Sequence, residues 1–139
     1  MRRILGIDYG TRRIGIAVSD PLQIIARGVT TLEHTPKAVQ RIVEFIREFD
    51  TGIIVVGLPL TLRGEKGRSA SDAEAFAGKL KELAGVEVVL WDERFSSQTA
   101  HETLLTMGVK KKARRSKERI DEMAAAIILQ GYLDSRPER

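Results

Sequence analysis

Three carboxylates in this sequence fall where carboxylates can do chemistry. Asp8 interrupts Arg3–Tyr9, a stretch that otherwise reads as buried strand. An ionised carboxylate buried alone is costly, so it calls for a metal or a partner charge. No Lys or Arg alternates with it on the same strand face, so that cation comes from solution or from elsewhere in the chain. Glu93 lies just past the carboxyl end of an apolar strand, where ligands gather in open α/β sheets. Asp121 is expected in the first turn of the last helix, with Ala124, Ala125 and Ile128 on its face. Such small residues let a helix approach a sheet closely. If the three acids meet, they make a dense negative pocket that needs a divalent cation.

Each acid also has a plainer role. Asp8 could bond turn amides, Glu93 could pair with Arg12 or Arg94, and Asp121 could complement a helix dipole. Asp8 is the hardest to explain as scaffold, and the conjunction is stronger than its parts. Asp92 is a fourth candidate. Successive strand residues point to opposite faces, so only one of Asp92 and Glu93 faces the pocket, and the residues alone do not choose between them.

The elements that must position these acids can be read from the pattern. Arg3–Tyr9 and Ile14–Ser19 flank the turn Gly10-Thr11-Arg12-Arg13 as a β-hairpin. Ile24–Leu32 reads as a third strand. Thr35-Pro36 opens a helix whose period is kept by Val39, Ile42, Ile46 and Phe49. Gly52–Gly57 is apolar on both faces, as in a covered central strand. Leu58–Gly67 is a loop. Ser71-Asp72-Ala73-Glu74 reads as a capping box opening a helix that Gly85 ends. Val86–Trp91 is a further strand, Ser96 or Ser97 caps a helix to about Gly108, and Glu118–Leu133 is the last helix, with a frayed tail from Asp134. The order β-β-β-α-β-α-β-α-α implies a mixed sheet with helices on both faces.

Bulk properties narrow the function. The 139 residues fit one domain, read as residues 1–139, and 42% hydrophobic with 30% charged residues suits an ordinary globular protein. No apolar run is long enough to span a bilayer, and the start lacks a signal peptide's apolar stretch, so a cytoplasmic protein with no membrane partner is expected. With no cysteine, disulfides, thiolate zinc sites and cysteine nucleophiles are excluded. His34 and His101 do not make a helical ligand pair, so any metal is a hard one held by oxygens. The net charge of +4 comes from one stretch. Lys110–Arg119 carries seven bases and one acid, a net of +6, which leaves 16 bases and 18 acids elsewhere, a net of −2. That is the footprint of contact with an anionic polymer, or else a solvated loop between helices.

GIDYGTRRIGIAVSD, VVGLPL, WDERFSS and DEMAAAIILQGYLD, in this order and spacing, resemble the YqgF (RuvX) family over nearly the whole chain. The resemblance implies an RNase H-like fold: a five-stranded mixed sheet, its first three strands antiparallel, flanked by helices. It implies a nuclease of pre-16S rRNA, or a Holliday-junction-resolvase-like protein, with catalytic acids at Asp8, Glu93 and Asp121. It thereby favours Glu93 over Asp92. Two departures stand out. Thr61-Leu62-Arg63-Gly64 replaces an Asn-Met-Asp-Gly type of sequence, putting a base where the family has an acid, and Phe95 follows the D-E-R motif in place of an aliphatic residue. Neither touches the three acids.

On this reading Asp8 bridges two Mg²⁺ (or Mn²⁺) ions, and Glu93 and Asp121 complete one site each. Products would carry a 5′-phosphate and a 3′-hydroxyl. Lys111, Lys112, Arg114 and Arg115 stand at the rim beside Asp121 and grip backbone phosphates, with Arg12 and Arg13 in the hairpin turn and Arg63, Lys66 and Arg68 in the loop as weaker candidates for the same role. Aromatics are only 5% of the chain and mark no stacking platform, so recognition by shape or by partner proteins is expected. Structured RNA is the favoured partner, with ribosomal precursor particles and DNA junctions as further partners and a monomer or weak homodimer as the working state. A kinase-like reading of Asp8-Tyr9-Gly10-Thr11 has no room for a second domain, and a non-catalytic binding module has no need of all three acids.

Overall fold

Alternation along the strands decides which residues meet which helices. In β1 (Arg3–Tyr9), Leu5 and Ile7 are buried on one face, while Ile4, Gly6 and Asp8 point to the other. In β2 (Arg13–Ser19), Ile14, Ile16 and Val18 share the first face, and Arg13, Gly15 and Ala17 the second. The strands β3 (Ala26–Glu33), β4 (Thr51–Leu58) and β5 (Glu87–Asp92) complete one sheet in the order β3-β2-β1-β4-β5. The pairs β1–β2 and β2–β3 are antiparallel, and β1–β4 and β4–β5 are parallel. The computed structural model describes residues 2–59, 67–93 and 113–136, with 113–119 described as backbone.

Helices cover both faces. The first face packs on α1 (Ala38–Glu48) and α2 (Arg68–Ala84) through Ile42, Phe45, Ile46, Phe76 and Leu80. The second face packs on α3 (Ala113–Ser135), whose Ala125, Ile128, Leu129 and Leu133 bury Ile4, Ala17 and Val55. The mixed sheet with helices on both faces agrees with the sequence reading.

Several element ends differ from it. Helix α1 starts after Thr35-Pro36, because Thr35 spends its groups on a turn: its Oγ1 accepts from Lys37 N at 3.3 Å and its carbonyl from Ala38 N at 3.0 Å. Helix α2 starts at Arg68, three residues before the expected capping box, and Ser71 N donates to Gly67 O at 3.2 Å. Its end at Gly85, with φ of +67°, is as expected. The largest change is α3, which begins at Ala113 rather than Glu118 and runs on to Ser135. Much of the basic stretch is therefore helix and not loop: Ala, Arg, Lys and Glu are strong helix formers, and no Gly or Pro interrupts them. The helix expected up to Gly108 and the loop around Arg63 lie outside the described residues. No helix among the described residues is long and apolar enough to cross a membrane.

Candidate active site

The α3 face of the sheet becomes polar at one end. Along β1 the side chains on that face run Ile4, Gly6, Asp8. The first lies in the core beneath α3. At Gly6 a Cβ would stand 2.7 Å from Leu129 Cβ, so the helix rests almost on the strand. Asp8 follows, half-buried, and pairs across the ladder with Gly15. A Cβ at Gly15 would lie 2.0 Å from the carbonyl oxygen of Asp121. This missing side chain is what lets α3 bring Asp121 down to β2 beside Asp8.

Glu93 arrives from the other side. Val89 and Trp91 of β5 pack toward α3, and the next residue in that alternation is Glu93. A Cβ on Gly57 would stand 3.1 Å from Glu93 Oε2, which places the carboxyl over the end of β4. Asp92 falls on the opposite face by the same alternation. Glu93, just past the end of β5, thus has its carboxyl on the Gly57 side of the sheet, within the influence of Asp8.

The electrostatics make Asp8 central. Burial, and then the charge of Asp121, raise its carboxyl to a pKa of about 6. Burial raises Glu93 to about 7, helped by Asp8 and then Asp92. Among the described residues, no Lys or Arg forms an ion pair with Asp8 or Glu93. Two neighbouring carboxyls of this kind persist at neutral pH only by keeping protons or by sharing a cation. All the donors are hard oxygens, as a divalent ion such as Mg²⁺ requires. Among the described residues, no three such groups are gathered around one point. The arrangement fits ions that keep much of their own water and take one or two carboxylates each.

Asp121 departs from expectation twice. It lies well inside α3, beyond the turns where a helix dipole acts, so dipole complementation does not explain it. It also has a protein cation, where the sequence reading assigned none: Arg13 Nε donates to Asp121 Oδ2 at 2.5 Å. Arg13 shares the α3 face with Gly15 two residues on, a period-2 signal legible in the sequence. The hairpin turn that carries Arg13 is itself clamped. His34 Nδ1 donates to the carbonyls of Gly10 (2.9 Å) and Thr11 (3.1 Å), which leaves Nε2 to accept from the Tyr9 hydroxyl at 3.0 Å in the neutral ring. His34 is thus a turn clamp rather than a metal ligand.

Of the expected phosphate contacts, Arg12 is exposed in the clamped turn. Arg114 and Arg115 lie near the start of α3, about 10 Å along its axis from Asp121 by helix rise, and their side chains lie outside the described residues. Arg63, Lys66, Lys111 and Lys112 also lie outside them.

A family profile for RuvX, described as Holliday junction resolvase, matches residues 2–135. The chain belongs to the RuvX family. A RuvX relative from Ruminiclostridium cellulolyticum, named "Putative pre-16S rRNA nuclease", is 42% identical over 95% of this chain and 94% of its own length. One of the same name from Bacillus thuringiensis is 41% identical over 96% and 99%. Among solved structures, Thermus thermophilus RuvC in complex with a Holliday junction substrate superposes with a TM-score of 0.61 at 20% identity, covering 100% of this chain and 99% of that one. The fowlpox virus Holliday junction resolvase gives 0.56 at 10% identity, covering 96% and 99%. These likenesses establish the RNase H-like fold of this RuvX chain.

Proposed function

We propose that the chain is a divalent-metal-dependent nuclease that hydrolyses phosphodiester bonds and matures the 5′ end of pre-16S rRNA. The carrying observation is the pair of Asp8 and Glu93, adjacent carboxyls raised by burial with no described basic partner, in a chain of a nuclease family. Asp8, Glu93 and Asp121 would hold the Mg²⁺ or Mn²⁺ ions, with Asp8 the acid that feels Asp121 and is felt by Glu93. Bound there, the ions supply an activated water for in-line attack and charge stabilisation at the leaving oxygen. Glu93 keeps its place because Gly57 leaves room for it, and Ile128 closes the apolar side of the pocket. The products carry a 5′-phosphate and a 3′-hydroxyl.

Lys111, Lys112, Arg114 and Arg115, with Arg12 and Arg63, grip backbone phosphates at the rim. Such contacts release counterions, so neutralising those first four residues should lower the log–log salt slope of binding by about 3. A slope equal to wild type would remove them from the interface. The setting is cytoplasmic, and the chain acts as a monomer or weak homodimer on structured RNA, including ribosomal precursor particles.

Cleavage of a precursor ribosomal RNA bearing its 5′ leader, beside a four-way DNA junction, tests this reading. RNA cut by wild type with Mg²⁺ or Mn²⁺, and left intact by Asp8→Asn, supports it. Cutting of the junction alone moves the chain to DNA recombination, the reading favoured by the family's description as Holliday junction resolvase. Binding of both without cutting makes the acids part of a binding scaffold.

A further inference from the structure

We infer that Arg13 is a resident counter-cation that holds Asp121 in the metal-free protein and competes with the metal for it. The inference rests on the reading of Asp121 as a metal ligand. Arg13 Nε sits on Asp121 Oδ2 at 2.5 Å across 108 residues of sequence. Both partners are positioned by backbone rather than by chance. Arg13 closes the hairpin, its carbonyl accepting from Gly10 N at 3.0 Å, and Asp121 is pressed onto β2 over the absent side chain of Gly15.

Two observations and one charge argument favour competition over shared ligation. Among the described residues Asp121 belongs to no cluster of three or more acids, although its charge is felt at Asp8. A divalent ion on a carboxylate already bonded to a guanidinium sets like charges against each other at close range. Arg13 also has somewhere to go: its side chain is 37% exposed, against 23% for Asp121. With Arg13 more than a third exposed, solvent screens the pair and leaves it weak enough to exchange, since exposed ion pairs contribute little net stability. Entry of the ion and departure of Arg13 are then one event, and the acids are drawn together as it happens.

The direction of the effect separates this role from a positioning one. A group that orients a metal-bound carboxylate strengthens metal binding, and its loss weakens affinity, typically about 10- to 100-fold. A competitor does the reverse. Mn²⁺ binding to the whole chain without nucleic acid, followed through free Mn²⁺ by electron paramagnetic resonance, reads the sign directly. In Arg13→Gln we expect one Mn²⁺ to bind about fivefold tighter, the weight of a solvent-screened ion pair. In EDTA the same variant should melt below wild type, and Mn²⁺ should raise its melting temperature by more than it raises that of wild type. In an Asp121→Asn background, Arg13→Gln should change nothing further. Weaker or unchanged Mn²⁺ binding in Arg13→Gln overturns the inference. Arg13→Lys keeps the charge without the planar fork and should bind Mn²⁺ as tightly as wild type or slightly more so. A loss of affinity there overturns the inference even if Arg13→Gln does not fold. Asp121→Asn binding Mn²⁺ like wild type is a separate failure, that of Asp121 as a ligand.

Discussion

Asp8→Asn is expected to lower cleavage by about a hundred- to a thousandfold, the scale on which removing a charge-stabilising group costs rate. The same substitution is expected to raise the melting temperature of the metal-free protein at pH 8. An enzyme that loses activity while gaining stability has lost a group kept for chemistry. The sign of the stability change follows from proton binding. Asp8 titrates near 6 in the folded chain against 3.8 for an ordinary aspartate, and Glu93 near 7 against 4.5. Between those limits the folded state holds protons that the unfolded state has released. The stability these two groups contribute in the metal-free protein is thus fully present below about pH 4 and is lost as pH rises through 6 to 7. Asparagine carries no charge to bury, so the variant escapes its part of that loss, on the order of 2 kcal/mol at pH 8. Thermal melts in EDTA from pH 4 to 8 check it: wild type should fall with pH more steeply than Asp8→Asn. Parallel curves would mean that Asp8 does not titrate in this range. Added Mn²⁺ should stabilise wild type more at pH 8 than at pH 5, because at pH 5 the ion competes with bound protons.

The second large effect belongs to a residue with no functional group. Gly15→Ala would put a Cβ 2.0 Å from a backbone oxygen of α3, an atom that cannot rotate away. The helix must lift, at a cost of about 3 kcal/mol. Activity should fall further than stability alone explains, roughly a hundredfold, since Asp121 rides on the part of the helix that moves. Gly78→Ala is the control. A Cβ there meets nothing within 4 Å on an exposed stretch of α2, so that variant should gain about 0.5–1 kcal/mol and keep its activity. Equal behaviour of the two variants in urea melts and cleavage would show that α3 does not need its close seat on β2.

Much of this was legible in the sequence, for identifiable reasons. The strands were readable because period-2 alternation and runs such as Gly-Ile-Ile-Val-Val-Gly leave little choice of state. Asp8 announced itself by breaking such a pattern. The residues alone left Asp92 and Glu93 level and only the family resemblance favoured Glu93, because the phase of β5 shows only once Val89 and Trp91 pack toward α3. The start of α3 was missed because a run of like charge suggests a solvated loop, whereas its residue types favour helix. The Arg13–Asp121 pair was hidden for another reason. Its partners come from a hairpin and a distant helix, and no local rule links them. Gly6 and Gly15 were the signal available, since glycine inside a strand marks the close approach of another backbone.

The seating of α3 also sets an order of events. Ile4, Ala17 and Val55 have no cover until the helix that carries Ala125, Ile128 and Leu129 has been synthesised and docks. Until then a nascent chain shows an apolar sheet face and lacks Asp121 at the site. The strands that bear Asp8 and the segment that bears Glu93 leave the ribosome first, and the last acid comes late. On the role proposed for Asp121, phosphodiester cleavage would wait for completion of the fold. A chain stalled or truncated before α3 would be a substrate for chaperones rather than a free nuclease.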